Sequence, residues 1–105
     1  MREIVFEDDF FIGDRRRIVL KLLKVKKSDN FPTGLEFAVQ YLYFKNDEWR
    51  QIARIDNQLH EGKAGTHIHI LRREKVEHVD IDFNEAREKI IELGEGVIKN
   101  IFDKI

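Results

Sequence analysis

Apolar residues recur at every second position along most of this chain, and at every third or fourth position at its end. Strand side chains alternate between two faces, whereas helical side chains return to one face after three or four residues. The pattern therefore predicts a series of strands followed by one helix. Leu35 to Phe44 shows the alternation best. Leu35, Phe37, Val39, Tyr41 and Tyr43 share one face, and Glu36, Ala38 and Gln40 begin the other. Arg17 to Lys26 is apolar on both faces, with Ile18, Leu20 and Leu22 on one and Val19, Leu23 and Val25 on the other. Such a strand belongs inside a sheet that is covered at least partly on both sides.

Turn chemistry sets the other boundaries. Glu3 to Glu7 is expected as a short first strand, with a turn around Asp8-Asp9 and Gly13-Asp14. Lys27 to Gly34, which holds the only Pro, reads as a loop. Lys45-Asn46-Asp47-Glu48 reads as a hairpin turn, and Trp49 to Asp56 as the return strand. After a polar loop from Asn57 to Gly65, a second hairpin is expected from Thr66 to Leu71 and Val76 to Phe83, turning through Arg72 to Lys75.

Asp82 and Glu85 have the spacing of a helix capping box, with Asn84 an alternative cap. Ala86, Ile90, Leu93, Gly94, Val97, Ile101 and Ile105 then form one apolar stripe on a helix of about 20 residues. Gly94 and Gly96 would each cost about 1 kcal/mol against Ala, so a bend or a close helix–sheet contact is expected there. The fold class is α+β: an antiparallel sheet of five or six strands with one long C-terminal helix packed on one face, in a single domain over residues 1–105.

At 105 residues the chain has material for one core. Nineteen Lys and Arg face 20 Asp and Glu, a net charge of -1, which argues against a polyanion binder working by bulk charge. The absence of Cys excludes a disulfide scaffold, a thiolate nucleophile and a zinc-thiolate site. No apolar run approaches the roughly 18 residues of a membrane span, and the N-terminus does not read as a signal peptide, so a cytoplasmic protein is expected. Abundant Lys and Glu without Cys point to a hot-growing source.

Charge is nevertheless segregated. Residues 15–27 carry Arg15, Arg16, Arg17, Lys21, Lys24, Lys26 and Lys27 and no acid, whereas residues 1–14 carry five acids against Arg2. The favoured reading is a basic strand paired with the acidic one; contact with RNA phosphates or an acidic partner is the alternative.

All four His lie between residues 60 and 78: His60, His67, His69 and His78. Parity puts His67 and His69 on the face opposite Ile68 and Ile70, and His78, Asp80 and Asp82 opposite Val79, Ile81 and Phe83. A turn centred on Arg73-Glu74 would pair His69 with His78 and His67 with Asp80. A turn centred on Glu74-Lys75 would pair His69 with Asp80 and His67 with Asp82. Either register sets imidazoles beside carboxylates. A His pair titrating near neutrality can supply an acid and a base, and a neighbouring carboxylate fixes the tautomer. The alternatives are a solvated polar face or a divalent-metal site built from His67, His69, His78 and Asp80. A second constellation, Arg54-Ile55-Asp56-Asn57-Gln58-Leu59-His60, ends a strand and enters a loop, where Asp56 and Asn57 also have an ordinary use in turns. The loop that follows holds His60, Lys63 and two Gly, a composition that can approach a phosphate closely.

Arg54-x-Asp56-Asn57, the Gly- and Lys-containing loop and Thr66-His67-Ile68-His69, followed by a strand and a C-terminal helix, resemble the TumE-like toxins. The resemblance runs roughly from Trp49 to Phe102. It implies a toxin–antitoxin role on RNA or translation, a helix-turn-helix antitoxin as partner, and Asp56, Asn57, His67 and His69 as the functional residues. The expected activity is a metal-independent ribonuclease without a cofactor. His67 and His69 would act as acid and base, Asp56 would orient one of them, and Arg54, His60 and Lys63 would hold the substrate. A non-catalytic protein-binding module is the alternative, and the exposed edges of so small a sheet make a homodimer reasonable.

Overall fold

The period-two segments form six strands and the terminal segment one helix, in a computed structural model that describes residues 2–58, 65–70 and 75–101. The strands are β1 (Glu3–Gly13), β2 (Arg16–Lys24), β3 (Leu35–Lys45), β4 (Glu48–Asp56), β5 (Thr66–Ile70) and β6 (Lys75–Val79), and the helix is α1 (Phe83–Ile101). Each strand pairs antiparallel with the next, in the order β1-β2-β3-β4-β5-β6. The expected α+β architecture is present. Among the described residues no helix is long and apolar enough to cross a membrane.

β1 corrects the sequence reading. The expected turn at Asp8-Asp9 is absent, and the strand continues to Gly13. Its acids meet the cations of β2: Glu3 lies opposite Lys24, Glu7 opposite Lys21, and Arg17 donates from Nε to Asp9 Oδ1 at 2.6 Å. That bond, more than simple charge attraction, holds the Asp9 carboxyl below its ordinary range. Cross-strand pairing has outweighed the local turn preference of two adjacent Asp residues. The hairpin from β3 to β4 is the expected one. Asn46 and Asp47 both take positive φ, at 55° and 62°, as a two-residue turn matched to strand twist requires.

One sheet face carries Ile18, Leu20, Phe37, Val39, Tyr41, Ala53, Ile55 and Ile68 into a core completed by Ala86, Ile90 and Ile98 of α1. The capping box forms as expected. Glu85 N donates to Asp82 Oδ1 at 2.9 Å, and Asp82 N donates to Glu85 Oε1 at 3.4 Å. α1 packs chiefly on β3 and β4. Of the two expectations for the helical glycines, close contact is the one seen at Gly94, where an added methyl would overlap the Tyr41 ring. Gly96 faces open space.

The last hairpin departs from both expected registers. His67 lies opposite His78 and His69 opposite Val76, and β6 ends at Val79 rather than Phe83. The shift is two residues from the first register and four from the second, both even, so parity is kept while Asp80 and Asp82 fall beyond the ladder.

Candidate functional site

The face turned away from α1 is organised in rows. Lys21, Ala38, Asp56 and His67 follow one another across β2 to β5, and Val19, Gln40, Arg54 and His69 form the next row. Pairing of β4 with β5 thus sets Asp56 and Arg54 beside His67 and His69. The carboxylate at the imidazoles is supplied by β4, not by β6.

Asp56 is the centre of this group. His69 Nε2 stands 3.3 Å from its Oδ2, and Arg54 Nε donates to the same oxygen at 2.8 Å. Its Oδ1 accepts the backbone N–H of Gln58 at 3.0 Å, the side-chain-to-backbone turn that Asp commonly makes two residues on. Arg54 Nη2 donates to Gln58 Oε1 at 2.8 Å. Gln58 Nε2 in turn donates to Glu36 Oε2 at 3.4 Å, and Glu36 also accepts the Arg2 guanidinium. The Asp56 side chain is 6% exposed, whereas His69 and Arg54 keep 24% and 27% of theirs in solvent. A buried carboxylate therefore holds a cation and an imidazole that both reach the surface.

His67 occupies a different position. Its ring centroid lies 6.3 Å from that of His69, on the same face, yet the residue is fully buried. The sequence reading gives it a proton-transfer role; in this conformation the residue has no solvent exposure. It can act on the site only through its neighbours.

Asn57 is built into the fold. Its Oδ1 accepts Phe37 N at 2.7 Å, its Nδ2 donates to Leu35 O at 2.8 Å, and its own N–H donates to Phe37 O at 3.3 Å. The side chain extends the pairing of β3 with β4 past Asp56, which is a structural task. His60 and Lys63 lie outside the described residues, as does the His78 side chain. Asp80 is exposed beyond the end of β6. Among the described residues no three His, Asp or Glu side chains converge as a metal site.

The sequence gives Gln58 a place in the Arg54 to His60 constellation but no role, and it points to neither Glu36 nor Arg2 as part of the site. Gln58 carried a signal, since the residue two after a strand-ending Asp supplies the N–H that such a carboxylate takes up. Glu36 carried only its parity, which gave its face but not its burial.

Residues 13–100 match the model of a domain of unknown function, DUF7718, and the chain belongs to that family. The matched segment contains Arg54, Asp56, Asn57, His67 and His69. No curated protein and no solved structure matches the chain.

Proposed function

We propose that this member of the DUF7718 family is a toxin-like, metal-independent ribonuclease in which His69 moves the proton and Asp56 orients it. One observation carries the reading: the Asp56–His69 pair, 3.3 Å apart, shares its carboxylate oxygen with Arg54 on a partly open sheet face. The resemblance of Asp56-Asn57 and His67-Ile68-His69 to the TumE-like toxins supports the same substrate class.

RNA supplies its own nucleophile, so no Ser or Cys is required. An Nε2–H directed at Asp56 puts the basic lone pair of the neutral imidazole on Nδ1. That nitrogen takes the 2′-hydroxyl proton as the 2′-oxygen bonds to phosphorus and the bond to the 5′-oxygen breaks. The leaving 5′-oxygen takes a proton from water or a second acid. The products are a 2′,3′-cyclic phosphate and a 5′-hydroxyl. Arg54, already fixed by Asp56 and Gln58, places a cation for the phosphoryl oxygens. His67 is a positioning residue behind His69.

The test is incubation with total RNA in the presence of a chelator. His69→Ala is expected to lose about 10²- to 10⁴-fold in rate. His67→Ala is expected to lose less, through displacement of His69. Cleavage by His69→Ala at the wild-type rate would end the proposal.

A further inference from the structure

β1 is the long edge of the sheet. Among the described residues it pairs with β2 alone, so the backbone N–H and C=O groups of its outer side have no strand beside them. Such an edge templates the addition of another strand, and proteins blunt it with Lys, Pro, bulges, inward-pointing charges or a short length. β1 has 11 residues and contains neither Lys nor Pro. Its two irregularities, between Ile4 and Phe6 and between Phe11 and Gly13, bracket a regular stretch from Phe6 to Phe11.

The side chains of that stretch say what would fit. Phe6, Asp8 and Phe10 lie opposite Leu22, Leu20 and Ile18, on the α1 side of the sheet. A groove of about 440 Å³ opens there, lined by the apolar Phe10, Ile18, Leu20 and Ile91 and by the polar Asn84, Arg87 and Glu88. Phe6 and Ile91 remain 36% and 38% exposed beside it. On the other face Glu7 and Asp9 are balanced by Lys21 and Arg17 of β2. Asp8 has Leu20 across from it and accepts the Asp9 N–H at Oδ1, and the cation on this side, Arg87, is stacked over Phe6. The edge therefore presents an apolar, acidic, apolar sequence on the groove side.

A second copy suits this edge poorly. Two-fold antiparallel pairing along the whole of β1 would oppose Asp8 to Asp8 and Glu7 to Asp9, and like charges directly opposite repel. We infer that β1 is the docking edge for an extended segment of a partner protein, added as a seventh strand. That segment carries Lys or Arg opposite Asp8, with apolar residues two positions to either side, opposite Phe6 and Phe10. Main-chain bonds would supply affinity, and the alternate side chains, seated in the groove, specificity. The inference rests on the edge and not on the ribonuclease reading.

The probe is a fluorescein-labelled peptide alternating Thr with Val, Lys and Val, together with a twin in which Glu replaces Lys. The Lys peptide is expected to bind the intact protein saturably and to slow amide exchange across residues 6–10. The Glu peptide should bind about tenfold more weakly. Asp8→Lys, a change at an exposed position, should reverse the preference. Equal binding of both peptides would overturn the inference, as would the absence of added protection in β1. Concentration-dependent self-association that buries β1 would also overturn it, by assigning the edge to a second copy.

Discussion

Gly94 lies against the ring of Tyr41 so closely that a single methyl group would overlap the ring carbons. The helix reaches the sheet at this point because one of its residues has no side chain. Gly94→Ala must push α1 off β3 or distort Tyr41, and such overpacking costs about 1–3 kcal/mol. Gly96, two residues on, has nothing within 4 Å of an added methyl. Gly96→Ala should instead stabilise by about 0.5–1 kcal/mol through helix propensity. Urea unfolding midpoints check both signs. A neutral Gly94→Ala would mean that the helix is not seated as described.

Tyr41 also makes stability fall at high pH. Its hydroxyl donates to Glu95 Oε1 at 2.8 Å. Burial first, and that bond second, raise its pKa above the ordinary value of 10.0. A group whose folded pKa exceeds its unfolded value contributes stability that is complete below the unfolded pKa and is lost as pH rises towards the folded one. Stability should therefore decline above about pH 10, and Tyr41→Phe should decline less steeply over the same range. Below pH 10 the Phe variant should be less stable by about 1 kcal/mol, the worth of a typical hydrogen bond. Unfolding at a series of pH values measures both effects.

Asn57 separates folding from chemistry. Its amide accepts from Phe37 and donates to Leu35, so Asn57→Ala removes two bonds to the β3 backbone. A loss of about 1–3 kcal/mol is expected. Cleavage per folded molecule should hardly change. A stable but inactive Asn57→Ala protein would return this residue to the catalytic group.

Strand parity made the sheet legible before any coordinates, since it depends only on which side chains are apolar. The faces of Ile68 and Ile70, and of His67 and His69, follow from it directly. Depth does not. Parity gives His67 and His69 the same face, but only packing distinguishes the buried ring from the partly exposed one. The β5–β6 register was equally beyond reach, because shifts of two residues leave every side chain on the same face. The sequence alone breaks β1 at Asp8-Asp9 because the partners that keep those residues in a strand, Arg17 for Asp9 and Leu20 across from Asp8, belong to β2. Asp56 and His69 were each recognisable as candidates. Their contact depends on how β4 pairs with β5, which the polar loop between them does not specify.

Single-turnover cleavage of an RNA oligonucleotide by the wild-type protein, His69→Ala, Asp56→Asn and the double variant tests the Asp56–His69 pair most directly. Asn at position 56 can still accept the Gln58 N–H, so a fall in rate reports on the imidazole and the guanidinium that share the lost carboxylate oxygen rather than on the turn. His69→Ala should lose about 10²- to 10⁴-fold, Asp56→Asn less, and the double variant only slightly more than His69→Ala alone, because Asp56 acts mainly through His69 and otherwise through its hold on Arg54. Losses that multiply in the double variant, or a His69→Ala protein as fast as wild type, would contradict the account.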